Sequence, residues 1–491
     1  MTEHNLIELK ADVETLAATV RAEGETIAAA WAPWIERPEF KASAANLADY
    51  LALRRRDIRP LQRRLMAHGL SSLGRLESRV QPTLNAVLAA LDAFTDAAPR
   101  RPLPSEAEFF DGEHRLAERT TEILGPVSQT RAVHLLITCP PEAAEGPEFM
   151  RRLARMGVEA VRINCAHDDA AAWGRMIGYA REASAATGRP IKILMDLAGP
   201  KIRTGLIRPV DGHRRVGVDD LFAIAIPGQL DKADEGLIAV ECTLPQALMA
   251  AKPGERIFVD DGKLATVVES VSPWGVTVRV TTSPDEDGYK LKEEKGVNFP
   301  DTHFSIPALT EKDIVDLAFI AEHADGIEFS FVQSEEDVAA LHRALERIRP
   351  DWRKLSLILK IETTRALGNL PDILARAAGR QPTAIMIARG DLAVEIGFSR
   401  LAEMQEELLW IGEAAQVPVI WATQVLEHLI KKGVPLRGEM TDAAMSARAE
   451  CVMLNKGPNL FAAITELDTL LSRMSENQYK KAPRLRRLTS W

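Results

Sequence analysis

Apolar positions change their rhythm once along this chain. Up to residue 128 they recur with helical spacing: Leu6, Leu9, Val13, Leu16 and Val20 make one series, and Leu84, Val87, Leu88 and Leu91 another. That spacing marks one face of a 3.6-residue period. The loop Ala97-Ala-Pro-Arg-Arg-Pro-Leu-Pro104 interrupts the region. After residue 130, short continuous apolar runs appear at 133–138, 160–164, 191–196, 326–332, 355–362, 384–391, 417–424 and 451–455. Amphipathic stretches such as 147–156, 170–187, 311–323, 335–347 and 400–415 separate most of them. Buried parallel strands take this form, with helices supplied by right-handed crossovers. Eight such runs predict an α/β fold, a (β/α)8 TIM barrel.

One interval is too long for a plain barrel. Between the third and fourth runs, residues 206–297 read as β, with short runs at 222–226, 236–240, 256–259, 265–271 and 275–281. Gly, Pro and Asp punctuate them, and Val259-Asp-Asp-Gly262 is a turn signal. The pattern predicts an inserted β-barrel lid domain over the mouth of the barrel, where closure would exclude water. The expected organisation is an N-terminal all-α extension over 1–128 and a catalytic barrel over 129–205 and 298–478. The lid covers 206–297, and a basic tail covers 479–491.

Composition narrows the function classes. The chain has 491 residues, 46% hydrophobic and 27% charged, as soluble globular proteins have. Its net charge of −9 and 5% aromatic content give no general reason to bind nucleic acid. Cys139, Cys165, Cys242 and Cys451 lack C-x-x-C spacing and read as small buried reduced thiols. The basic piece Leu51-Ala-Leu-Arg-Arg-Arg-Asp-Ile-Arg-Pro60 fits a solvated helix face, with an anionic partner as the other reading. The start Met-Thr-Glu-His-Asn shows no signal-peptide pattern, and no run is long enough for a membrane span. The expectation is a cytoplasmic protein with no membrane partner.

Charged and polar groups gather where the runs end, and barrel enzymes place their chemistry at that end of their strands. The second run ends Val-Arg162-Ile-Asn164-Cys-Ala-His167, and the third ends in Asp196. A Gly199-Pro200 turn, Lys201 and Arg203 follow. One anion and two cations there suit a metal-bound phosphorylated substrate. The fourth run carries Ser330, the fifth ends Leu-Lys360-Ile-Glu362, and the sixth ends Ala-Arg389-Gly390-Asp391. The seventh ends Ala-Thr423-Gln424 and the eighth Leu-Asn455-Lys456-Gly457. Lys360 and Glu362 share a strand face by the period of two. Glu362 and Asp391 suit Mg²⁺ or Mn²⁺, whose octahedron substrate oxygens and water can complete. No His/Cys set points to zinc. A salt bridge between Lys360 and Glu362 is the plain alternative.

Several of these pieces match a known family. Arg-Ile-Asn-Cys-Ala-His (162–167), Met-Asp-Leu-Ala-Gly-Pro-Lys-Ile-Arg-Thr-Gly (195–205), Val-Asp-Asp-Gly (259–262) and Lys-Gly-Val-Asn-Phe-Pro (295–300) come first. Ile-Pro-Ala-Leu-Thr-Glu-Lys-Asp (306–313), Leu-Lys-Ile-Glu (359–362), Ile-Ala-Arg-Gly-Asp-Leu-Ala-Val-Glu (387–395) and Ala-Thr-Gln-Val-Leu-Glu (422–427) follow in order. From 131 to 475 the chain resembles pyruvate kinase, the glycolytic enzyme that transfers the phosphoryl group of phosphoenolpyruvate to ADP, giving pyruvate and ATP. The resemblance implies Glu362 and Asp391 as the divalent-metal ligands and Lys360 as the group neutralising the transferring phosphoryl. It implies Arg162 as a phosphate contact and Thr423 in protonation of the enolpyruvate. Substrate contacts fall to Gly390, Asp391, Ser330, Arg203 and Asn164. Backbone N–H groups near Gly390 and Asp391 would hold the carboxylate, and Arg203 would face the nucleotide phosphates.

The chain departs from that family in four ways. Asn164 and Asp196 of the monovalent-cation site are kept, but Ala166 replaces a Ser and Leu197 a Thr. Lys201 stands where potassium-dependent members have Glu, so the resemblance implies no K⁺ requirement. The segment Asn455-Lys-Gly-Pro-Asn459 is shorter than its family counterpart and lacks a Glu. That leaves open a different acceptor or 2-oxo acid, or a non-catalytic regulatory or binding protein on the same barrel. The chain stops soon after the barrel's last helix, so activation by fructose bisphosphate is not expected. Residues 1–128 have no counterpart in ordinary members and either cover bare surface or bind a partner. Homo-oligomer assembly is also left open.

Overall fold

The structure, a computed structural model, describes residues 3–487 apart from 285 and 305. His134–Thr138, Ala160–Asn164, Lys192–Asp196, Gly326–Phe329, Ser356–Ile361, Thr383–Ala388, Val419–Ala422 and Cys451–Leu454 form one closed parallel barrel. The eighth strand closes on the first through His134↔Cys451 and its successors. Most of the apolar runs overshoot the strands, for a physical reason. The sixth stops at Ala388 because Arg389 opens the helix Arg389–Ile396. After the fifth strand, Thr363 accepts the Ala366 N–H at 3.2 Å and caps the helix Thr364–Ala378. Strand gives way to helix immediately after Glu362, and that carboxylate is fixed to rigid elements on both sides.

Residues 204–298 form a seven-stranded sheet running from Thr204–Arg208 to Val297–Asn298. Its two end strands meet where Thr204 N–H donates to Lys295 O at 2.8 Å and Val297 N–H to Ile202 O at 2.9 Å, so the sheet nearly closes on itself. Asp260, Asp261 and Gly262 all take positive φ in the hairpin between Arg256–Val259 and Leu264–Ser272. This lid touches the barrel through Asn298 Nδ2 on Glu395 Oε1 at 3.4 Å.

The lumen is built in layers by the period of two. Leu136, Ala160, Leu194, Ile358, Met386, Ile420 and Met453 pack together below. One step up each strand come Thr138, Arg162, Asp196, Glu328 and Lys360. An apolar plug thus supports an ionic layer at the carboxyl ends of the strands.

The helical extension is bound tightly to the barrel. Its last helix, Glu106–Leu124, delivers Ile123 and Leu124 into the same lumenal cluster. His134 Nε2 lies 2.9 Å from Gly125 O. Trp31 Nε1 donates to Asp372 at 2.6 Å, and Gln416 Oε1 accepts from Ser43 Oγ at 2.5 Å. In the basic piece near residue 55, Arg56 pairs with Glu23 and Arg59 with Asp57, while Arg54 lies over Trp410. The stretch expected as a basic tail starts as a hairpin, Gln478–Tyr479 with Ala482–Pro483, whose turn ties Lys480 to Glu450 and Lys481 to Glu77. Its last four residues, 488–491, lie outside the described residues. All four cysteines are buried and free. No described helix is long and apolar enough to cross a membrane.

Candidate active site

The ionic layer is a connected network. Lys360 Nζ stands 3.2 Å from Asp196 Oδ1, 2.6 Å from Ser330 Oγ and 3.2 Å from Glu362 Oε1. Ser330 Oγ in turn donates to Asp196 Oδ1 at 2.8 Å. Arg162 spreads over three partners: Nε on Glu328 Oε2 at 2.9 Å, Nη1 on Thr138 Oγ1 at 3.3 Å, and Nη2 on Asp196. The salt bridge between Lys360 and Glu362 therefore exists, as one contact among several.

Burial and charge set the protonation of these groups. Burial opposes charge on Asp196, yet Lys360 and Arg162 beside it, with bonds from Arg162 and Ser330, hold its carboxyl below the ordinary carboxylate range. Burial also opposes charge on Lys360, but Asp196 and Glu362 more than offset it and raise its pKa. Glu362 is pushed up, first by burial and then by the charge of Asp391, although Lys360 opposes the shift. Two carboxylates that repel each other at a strand-end rim suit a divalent cation. Phe331 N–H donates to Glu362 Oε2 at 2.6 Å, from a backbone with φ of +54°. Among the described residues no group of three or more His, Cys, Asp or Glu could hold a metal alone. A cation on Glu362 and Asp391 would draw its other ligands from substrate and water.

Asp391 faces a mouth cavity of about 540 Å³ that is also lined by Gly390, Thr423, Asn455 and the lid's Asp261. Thr423 has φ of +70° and Gln424 of +57°, a left-handed pair that a β-branched residue adopts only under strain. Arg389 braces the turn by donating to Ala422 O at 2.9 Å and Thr423 O at 2.6 Å, and Asp442 anchors its guanidinium. Gly390 is required by space, since a Cβ there would stand 2.8 Å from Thr423 Cγ2.

Three expected site residues stand apart from the network. Arg203 belongs to the base of the lid and donates to Glu294 O at 2.9 Å. Asn164 Oδ1 accepts its own loop's Ala166 N–H at 3.0 Å. Lys201 pairs with Asp391 Oδ1 at 3.2 Å, not with Asn164 or Asp196. The Gly199-Pro200 turn, with Gly199 at φ of +69°, carries the chain across the mouth to that partner. Arg162 and Lys360 neutralise Asp196 instead. Sequence reasoning also missed Glu328, Thr138 and the Arg389–Asp442 brace. Glu328 was within reach, because it lies two residues before Ser330 and shares its lumenal face.

A family model for the pyruvate kinase barrel domain matches residues 130–458. The pyruvate kinase of Mycobacterium tuberculosis is 31% identical over 362 residues, covering 72% of each chain. That of Corynebacterium glutamicum is 34% identical over 337 residues, 66% of this chain and 65% of its own. Pyruvate kinase PKLR of Homo sapiens is 31% identical over 336 residues, 66% of this chain and 56% of its own.

Proposed function

The chain belongs to the pyruvate kinase family and is a pyruvate-kinase-like phosphotransferase; on that premise we propose that it transfers the phosphoryl group of phosphoenolpyruvate to ADP in the cytoplasm, with Mg²⁺ or Mn²⁺ and without K⁺. The observation that carries this reading is the lumenal network, in which Lys360 and Arg162 meet at Asp196 and Lys360 also reaches Glu362, whose carboxyl is in turn pushed up by burial and by the charge of Asp391. Glu362 and Asp391 would hold the cation, which would supply neutralisation of negative charge on the substrate oxygens. Lys360 Nζ faces the transferring phosphoryl, and the Nη edge of Arg162 grips it. N–H groups of Gly390 and Asp391, in the first turn of the helix Arg389–Ile396, hold the carboxylate. Thr423 Oγ1 lies on the route of the proton to the enolpyruvate carbon. Catalysis is then positioning with fixed charge, as phosphoryl transfer requires.

The K⁺-independent reading rests on Lys201, an ammonium beside Asp391 at the position where potassium-dependent members have Glu, and on Ala166, which offers no hydroxyl to a monovalent ion. A coupled assay of pyruvate formation is expected to give the same rate in Na⁺ or K⁺ buffers, within about 2-fold. A strict K⁺ requirement would remove this part of the proposal, and no pyruvate at all would remove the whole.

A second reading, the same chemistry with another acceptor, is favoured by one observation. Both cations lining the mouth cavity, Lys201 and Arg389, are already paired with carboxylates. A panel of phosphoryl acceptors in the same assay separates the two. Gly390→Ala is expected to push Thr423 aside and lower kcat by roughly 10-fold or more at unchanged Tm, since sub-ångström misplacement is costly in such sites. Steady-state kinetics with thermal melts checks it.

A further inference from the structure

Glu328 occupies an unusual place. It lies in the fourth barrel strand, wholly buried, and its inward face is shared with Ser330. Oε2 accepts from Arg162 Nε at 2.9 Å, while Oε1 is buried with no partner. A buried carboxylate with one oxygen unsatisfied is costly to retain. Asp196 already supplies Arg162 with a counter-charge, so neutralising that arginine does not require Glu328.

What Glu328 adds is direction. Of the guanidinium nitrogens, Nε is held from the side by Glu328, whereas Nη1 and Nη2 face Thr138 and Asp196 at the level of Lys360. A bidentate grip on phosphate takes two nitrogens of one edge. With Nε held, the edge left to exchange partners is Nη1/Nη2. Binding a phosphoryl group then means trading Thr138 and Asp196 for phosphate oxygens while the Nε–Glu328 bond serves as the pivot.

We propose that Glu328 is a positioning residue for the phosphotransfer step, which seats Arg162 by its Nε and leaves the Nη edge to grip the phosphoryl group. The proposal rests on the reading of Arg162 as a phosphate contact, and the test separates the two. Pyruvate formation from phosphoenolpyruvate and ADP is measured on the full chain for Glu328→Leu, Glu328→Gln, Arg162→Met and the double variant Glu328→Leu/Arg162→Met. Glu328→Leu is expected to lose about 10- to 100-fold, mostly in kcat, as misplacement of a charged group does. Glu328→Gln, which keeps an oxygen for Nε, is expected within about 3-fold of the parent. In the Arg162→Met background the Leu change is expected to cost nothing further, because a residue that acts through another is silent once that other is gone.

Equal losses in both backgrounds would show a merely structural role and overturn the proposal, as would an unaltered kcat in Glu328→Leu. Near-normal turnover by Arg162→Met would instead overturn the reading of Arg162. Should Glu328→Leu fail to fold, Glu328→Asp takes its place in the cycle. It shortens the arm by one methylene, and the same non-additive loss is expected.

Discussion

Lys360→Met is expected to lower kcat by about 10³-fold or more while the protein still binds Mn²⁺, the order of loss seen when a cation is removed from a phosphoryl-transfer transition state. Met keeps the length of the side chain and removes only the ammonium. In the resting site that ammonium is spread over Asp196, Ser330 and Glu362, and its side chain is almost wholly out of solvent. Charge–charge interactions are strong at such a place, and the pre-set cation needs no reorganisation when negative charge develops on the phosphoryl oxygens. The substitution also breaks buried pairs, which carries a stability cost of about 3–5 kcal/mol where no other partner remains. Here Arg162 still pairs with Asp196, so the loss of Tm should be smaller than that figure implies. Glu362 loses a competitor for its Oε1, so Mn²⁺ affinity should hold or rise. Mn²⁺ titration by electron paramagnetic resonance, beside kcat and Tm, reads all three. A variant that keeps more than a tenth of the parent kcat would show that Lys360 is a structural partner of Asp196 and not a transfer group.

The barrel was legible because its signal is redundant. Eight apolar runs, most of them with charged or polar residues at the same end, leave few architectures to consider, and one overlong interval marks the insertion. The pairing of Lys360 with Glu362 was legible too, because the period of two places them on one face. Partner choice was not legible. Lys201 follows Asp196 closely in sequence, yet it reaches Asp391 because Gly199 and Pro200 redirect the chain. The left-handed Thr423 and Gln424 gave no signal either, since neither is a residue type that favours positive φ. Their brace, Arg389 with Asp442, joins segments that only the closed barrel brings together. Ile123 and Leu124 read as ordinary core positions of a helix, and nothing local shows that the core they fill belongs to the barrel lumen.

The second large effect concerns the metal pair. Glu362→Gln and Asp391→Asn are each expected to weaken Mn²⁺ binding by roughly 10²-fold or more. Disturbing groups that merely orient metal ligands already costs 10- to 100-fold, and these are the proposed ligands themselves. kcat/KM should fall at least as far. The two variants should nevertheless differ. Glu362 is buried just past the fifth strand, with Oε2 held by Phe331 N–H and Oε1 by Lys360 Nζ, so the single amide oxygen of Gln can serve only one of these donors and its NH2 meets the other. Its Tm should fall. Asp391 is only partly buried, at the start of a helix and opposite Lys201, so Asn costs little stability there and frees that ammonium. Lys201→Met tests the same geometry from the other side. If Lys201 occupies Asp391 only until the metal arrives, its removal should tighten Mn²⁺ binding, by up to about 10-fold for one charge interaction of this partly exposed kind. Unchanged affinity in both carboxylate variants would place the divalent site elsewhere, and Lys360 would then have to be explained without it.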